Sequence, residues 1–125
     1  MASGRQPALK KGADVNVTYD ETGTALVCHL AGNLEQLTVR QFRESLARVR
    51  QSARVVFDLS AVNFIDSAGL GALIGAIRHV RELNGEAVVC SARPSVARAL
   101  ELVGLSHVVA VVGDISQARA FFTAA

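Results

Sequence analysis

From Val15 onward the chain alternates short apolar runs with amphipathic stretches, and two different periods separate strands from helices. "VNVTY" (Val15–Tyr19) alternates apolar and polar side chains with a period of two, which predicts a half-buried strand. "DETGT" then reads as a turn and "ALVCHLAG" as the second strand of a hairpin. In "NLEQLTVRQFRESLARVRQ", Leu37, Phe42, Leu46 and Val49 fall on one helical stripe while the arginines point elsewhere. That pattern predicts a surface helix lying on a core, with Thr38 capping its start. "RVVFDLS" is apolar enough to be a third strand buried on both faces, followed by a short loop.

Beyond that loop Leu70, Leu73, Ile74, Ile77 and Val80 recur at spacings of three and four, the period of a helix. Ser67 stands at its N-cap position and Gly85 at its C-cap. "AVVCSA" reads as a fourth strand. "PSVARALELVG" reads as a helix with Pro94 in its first turn and Gly104 past its end. "HVVAVV" is the fifth strand, and "DISQARAFFTA" a last helix with Asp114 as N-cap. The order β-β-α-β-α-β-α-β-α predicts one α/β domain with a mixed, mostly parallel sheet, the opening hairpin supplying the antiparallel pair. Residues 1–12 read as a flexible tail and 13–125 as the domain.

Composition narrows the function classes. Half of the 125 residues are apolar, enough for one packed core. The formal net charge is +2, and the arginines are scattered, so no nucleic-acid stripe is expected. Lys10 and Lys11 fall in the tail, where they solubilise. The N-terminus has no signal-peptide core, and no uncharged apolar run is long enough to span a membrane. A cytoplasmic protein is expected. Cys28 and Cys90 sit in apolar strand-like runs without C-x-x-C spacing, and read as buried, reduced thiols.

The common enzyme patterns do not fit. "IDSAG" has half of a nucleophile elbow, but Ile65 replaces its first glycine. His79 lies on the helix directly after the serine, and His107 precedes Asp114, so the acid-then-histidine order fails. Asp58 ends a buried stretch as a phosphoacceptor would, but both lysines lie in the tail, far from the last strand. It reads instead as a loop-start carboxylate that binds backbone N–H groups. No phosphate-binding glycine loop occurs and the three histidines do not cluster, so neither cofactor nor metal is expected.

The junction "DSAGLG" is unusual. Gly69, Gly71 and Gly75 each cost about 1 kcal/mol relative to alanine in a helix interior. Close packing on the sheet accounts for one or two of them, and a third suggests that something also approaches the helix backbone. From Ala68 to Ile77 no charged side chain occurs on any face. A small-residue apolar patch of this kind marks a protein-binding surface. A phosphoryl group on Ser67 would add a charge of roughly −1.5 to −2 at a helix N-terminus, which tolerates an anion. The fold would survive, whereas a partner docked on the uncharged patch would meet a desolvated dianion beside Asp66.

"VVFDLSAVNFIDSAGLGALIGAIRHV" resembles the signature of the anti-sigma factor antagonists, bacterial members of the STAS domain family. That signature is a buried strand ending in Asp-Leu, a phenylalanine or similar, then Asp-Ser-[Ser/Thr/Ala]-Gly-Leu-Gly. "EAVVCSARPSVARALELVGL" resembles the family's fourth strand and third helix, and the likeness runs from about Val15 to Phe122. It implies a binding module rather than an enzyme. The expected partners are an anti-sigma factor with serine kinase activity, which modifies Ser67 and so ends binding, and a PP2C-type phosphatase that restores it. By the same resemblance Asp66, Gly69 and Leu70 shape the phosphosite. The face comprising Ser67, Ala68, Gly71 and Ile74, with Asn33 and Glu35 nearby, meets the kinase. Where many relatives have Gly-Glu-Leu-Asp, this chain has Gly32, Asn33, Leu34 and Glu35, and Ala68 replaces a common second hydroxyl. The alternative is a STAS subunit that supports a transporter complex without a phosphorylation cycle.

Overall fold

The computed structural model describes residues 14–23 and 25–123; the tail expected over 1–12 lies outside them. The element order agrees with the sequence pattern: β1 (Val15–Thr22), β2 (Ala25–Leu34), α1 (Val39–Glu44), β3 (Arg54–Ile65), α2 (Ser67–Glu82), β4 (Glu86–Cys90), α3 (Pro94–Leu102), β5 (Ala110–Val112) and α4 (Ile115–Thr123). Short 3-10 turns at Val49–Gln51 and Leu105–His107 precede β3 and β5.

The five strands lie in sequence order, β1 antiparallel to β2 and the others parallel. Right-handed crossovers between sequential neighbours must place their helices on one face of a sheet. The core follows that rule. Leu26, Cys28 and Leu30 of β2, with Val55, Phe57 and Leu59 of β3, face a cluster built from α1, α2 and α3. Phe42, Leu73, Ile77 and Leu100 fill it and are almost fully buried. The opposite face is thinner: Ala25, Val27, Val56 and Val88 pack against Ala118 of α4.

Polar residues complete that thinner face. The two ring nitrogens of His29 on β2 lie 2.6 Å from the Asp58 carboxylate and 2.8 Å from that of Asp20, linking β1, β2 and β3. Asp58 also accepts the Ser60 N–H at 3.0 Å, so it binds backbone as expected. It does so from within a strand rather than at a loop start. The predicted short loop after "VVFDLS" is absent, because β3 continues to Ile65 and stays paired with β2 to its end. Arg93 clamps the extension, its Nε donating to the Ser60 carbonyl at 2.8 Å and Nη1 to Asn63 Oδ1 at 2.6 Å.

Other boundaries shift for local reasons. β1 runs three residues past Tyr19, and Gly23 turns the hairpin at φ +58°. The long first helix is only six residues, since the chain tightens into a 3-10 turn before β3. Leu37, expected on its buried stripe, is 78 % exposed. At the end of α2, Asn84 rather than Gly85 takes the left-handed conformation, with φ +64°. Asn84 N–H bonds the Arg81 carbonyl and Gly85 N–H the Val80 carbonyl, a Schellman closure. Gly85 is required for space instead: a Cβ there would stand 2.8 Å from the Ala53 carbonyl oxygen. Pro94 opens α3, Gly104 follows it at φ +68°, and Asp114 caps α4 through Gln117 N–H, as the sequence indicates.

Candidate functional site

β2 and β3 end level. Leu34 pairs with Ile65, so Glu35 and Asp66 leave the sheet side by side. Asp66 N–H donates to the Leu34 carbonyl at 3.2 Å, and the backbone then turns into α2. The N-cap is Asp66 rather than Ser67: its Oδ1 accepts the Gly69 N–H at 2.8 Å. Its Oδ2 accepts the Gln36 N–H at 3.1 Å from the loop after β2. One carboxylate therefore satisfies the helix start and ties the neighbouring loop to it. Either residue type is a good cap, and the phase of Leu70 and Leu73 on the core selects Asp66. Ser67 becomes the first helical residue, and it is exposed.

The loop after β2 is fixed from below. Thr38 precedes α1 but makes no side-chain cap to that helix. Its buried hydroxyl instead donates to the Asn33 carbonyl at 2.7 Å and accepts the Glu35 N–H at 3.0 Å. Gly32 sits at φ +101°, where a Cβ would come within 2.5 Å of the Asp14 carbonyl oxygen. The segment from Gly32 to Thr38 is thus held from both sides and bonded to Asp66.

Of the residues singled out from the sequence, Asp66, Ala68, Ile74, Asn33 and Glu35 are half-buried, and Ser67 and Gly71 are exposed. Gly69 and Leu70 turn inward and shape the junction from beneath. Gly69 has an unambiguous role: a Cβ there would lie 2.0 Å from the Leu34 carbonyl oxygen. Gly71 and Gly75 have open space in front of them. Two exposed apolar residues that sequence reasoning missed lie next to the junction in the chain. Leu37, next to Gln36, is 78 % exposed, and Phe64, two residues before Asp66, is 50 % exposed. The break in strict alternation along "SAVNFI" signals the exposure of Phe64 only once that stretch is known to be strand.

The thiols lie apart from this surface and are poorly nucleophilic. Both are buried, and burial pushes the Cys28 thiol up to about 12 and raises that of Cys90. Burial likewise raises the Tyr19 hydroxyl beside Cys28. Among the described residues no group of His, Cys, Asp and Glu side chains is arranged to hold a metal. The site's chemistry is that of one exposed hydroxyl at a helix start, with flanking apolar groups and a rigid loop.

The model of the STAS domain family matches residues 16–118. The chain belongs to the STAS domain family. Among curated relatives, the STAS chain is 32 % identical over 89 residues to an anti-sigma F factor antagonist of Paenibacillus polymyxa, covering 69 % of this chain and 76 % of that protein. It is 29 % identical over 84 residues to an anti-sigma-B factor antagonist of Listeria monocytogenes, covering 66 % and 74 %. The fold matches a crystal structure of an anti-sigma factor antagonist from Mycobacterium paratuberculosis with a TM-score of 0.77. That match has 21 % identity and covers 85 % of this chain and 92 % of the other. The STAS fold accounts for the sheet order and for the placement of "DSAGLG" where β3 passes into α2. No helix among the described residues is long and apolar enough to cross a membrane.

Proposed function

We propose that this STAS domain is an anti-sigma factor antagonist, a binding module and not an enzyme, acting in the cytoplasm. Its unmodified form docks an anti-sigma factor with serine kinase activity and frees the sigma factor for transcription. Phosphorylation of Ser67 switches docking off, and a PP2C-type phosphatase reverses it. The reading rests above all on the exposed Ser67 hydroxyl at the start of an uncharged helix face, held by a cap that belongs to Asp66. Because capping does not use the Ser67 hydroxyl, phosphorylation removes no helix-start bond. The added charge falls on the surface that Leu37, Phe64, Gly71 and Ile74 offer to a partner. Desolvating a dianion there opposes docking, and Asp66 and Glu35 add repulsion.

The names of the relatives support the partner class. Incubation with the cognate anti-sigma kinase and ATP should place one phosphate on Ser67, located by mass spectrometry. Ser67→Ala should stay a constitutive binder and Ser67→Asp should lose binding. Modification elsewhere, or equal affinity of Ser67→Asp, overturns the switch. Co-purification of a membrane transporter in place of a soluble kinase would favour the alternative.

A further inference from the structure

β3 outruns its neighbour on the far side. β4 pairs with it only from Arg54 to Asp58, whereas β3 continues to Ile65. Among the described residues, the stretch from Leu59 onward has a strand, β2, on one side only. The β2–β3 register also shifts twice in this reach, between His29 and Ala31 and between Gly32 and Asn33. Such irregularities interrupt the ladder and bend the strand. The end of β3, which hands the chain to Asp66 and Ser67, therefore has few backbone bonds of its own to set its direction.

Arg93 supplies the missing side. Its Nε donates to the Ser60 carbonyl at 2.8 Å and its Nη1 to Asn63 Oδ1 at 2.6 Å. One planar fork thus grips the free edge at two points, which the single ammonium of a lysine does not reproduce. Arg93 is itself fixed from behind. It precedes Pro94, which excludes it from the helical region, and its backbone is extended with ψ 157°. Its carbonyl accepts the Ala97 N–H at 2.7 Å, and Val96 and Leu100 bury α3 in the core. The chain of contacts then runs on to the junction. Asn63 stands three residues before Asp66. Asp66 N–H binds the Leu34 carbonyl, and its carboxylate holds the Gly69 and Gln36 N–H groups.

We infer that Arg93 is a positioning residue for the Ser67 site. Through Ser60 and Asn63 it fixes the end of β3, and with it the direction in which α2 presents Ser67 to a partner. The first test needs no partner. Amide exchange is followed by NMR in the isolated full chain and in Arg93→Gln. The Asp66 and Gly69 amides should exchange at least about threefold faster, through local opening, while Val88 and Val89 of β4 keep their rates. Unchanged exchange at Asp66 and Gly69, or an equal rise at Val88 and Val89, overturns the proposal.

The second test rests on the reading of Ser67 as the modified residue. With the cognate anti-sigma kinase and ATP, Arg93→Gln should lower kcat/KM for Ser67 phosphorylation by about tenfold, the cost of a misplaced acceptor. Asn63→Ala, which removes one of the two acceptors, should lower it in the same direction. The double variant should be no worse than the weaker single within about twofold, because both changes break one clamp. Fully additive losses would mean that Arg93 touches the kinase directly, and rescue by Arg93→Lys would mean that charge alone suffices; either overturns the positioning role. If the unaltered chain takes no phosphate on Ser67, the switch reading fails instead, and the exchange rates alone decide the clamp.

Discussion

Two stretches of the same helix treat glycine in opposite ways. At the start of α2, Gly69 is buried, and a Cβ there would drive to 2.0 Å from the Leu34 carbonyl oxygen. Two and six residues on, Gly71 and Gly75 are exposed and face open space. The first glycine is demanded by the protein's own backbone, where Asp66 and Leu34 draw the β2 loop against the helix. The others leave room for something outside the chain. A run of small residues therefore has two meanings, and only the neighbouring backbone separates them.

Substitutions sharpen that contrast. The largest effect belongs to Gly69→Ala. The methyl group meets a backbone carbonyl that the sheet cannot release, so urea unfolding should register a loss of about 3 kcal/mol or more. Stability like the wild type would mean that β2 and α2 separate freely. Next, Asp66→Ala removes the cap and the bond to Gln36 together, costing about 1–2 kcal/mol in the same measurement. Amide exchange at Gln36 and Gly69 should quicken in step, because one carboxylate holds both. Independent exchange would contradict the coupling.

Gly71→Ala and Gly75→Ala should move the other way. Each raises helix propensity without a clash and should stabilise the fold by up to about 1 kcal/mol. A loss of stability in either would place that position with Gly69. The smallest effects are expected at the missed surface residues. Leu37→Ser and Phe64→Ser should change folding stability by no more than about 0.5 kcal/mol. Both should nevertheless weaken partner binding, measured by calorimetry with the cognate anti-sigma factor. Large destabilisation without a binding defect would show that they serve the fold instead.

High pH tests the core against this surface. Burial raises the Cys28 thiol from its ordinary value of 9.0 to about 12. Above pH 9 the unfolded chain releases this proton before the folded one does. Stability from Cys28 is therefore intact below about pH 9 and falls as pH rises toward 12, by up to about 1.4 kcal/mol per unit. Tyr19, raised by the same burial, adds to the fall at the upper end. Cys28→Ala should flatten the early part of the profile, while Gly71→Ala should leave its slope unchanged.

Much of the fold is legible in the pattern because each element's period is set by its own geometry. Strand alternation, the three-four spacing of α2, Pro94, Gly104 and Asp114 all do in the structure what local chemistry predicts. The misread stretches depend on distant partners. "SAVNFI" is strand because β2 runs beside it and Arg93, just before α3, clamps it. Leu37 looks like a core residue on a helical wheel, yet the loop locked by Thr38 ends before α1 and turns it outward.

The sequence by itself determined the α/β order, the hairpin, the single core and the serine at the head of an uncharged helix. Those follow from composition and period, which every residue carries with it. Only the tertiary structure decided that Asp66 rather than Ser67 caps the helix, and which glycine is packed and which is open. The cap follows from the phase of Leu70 and Leu73 on the core, and the packed glycine from the Leu34 carbonyl, which meets the helix only after β2 and β3 have paired.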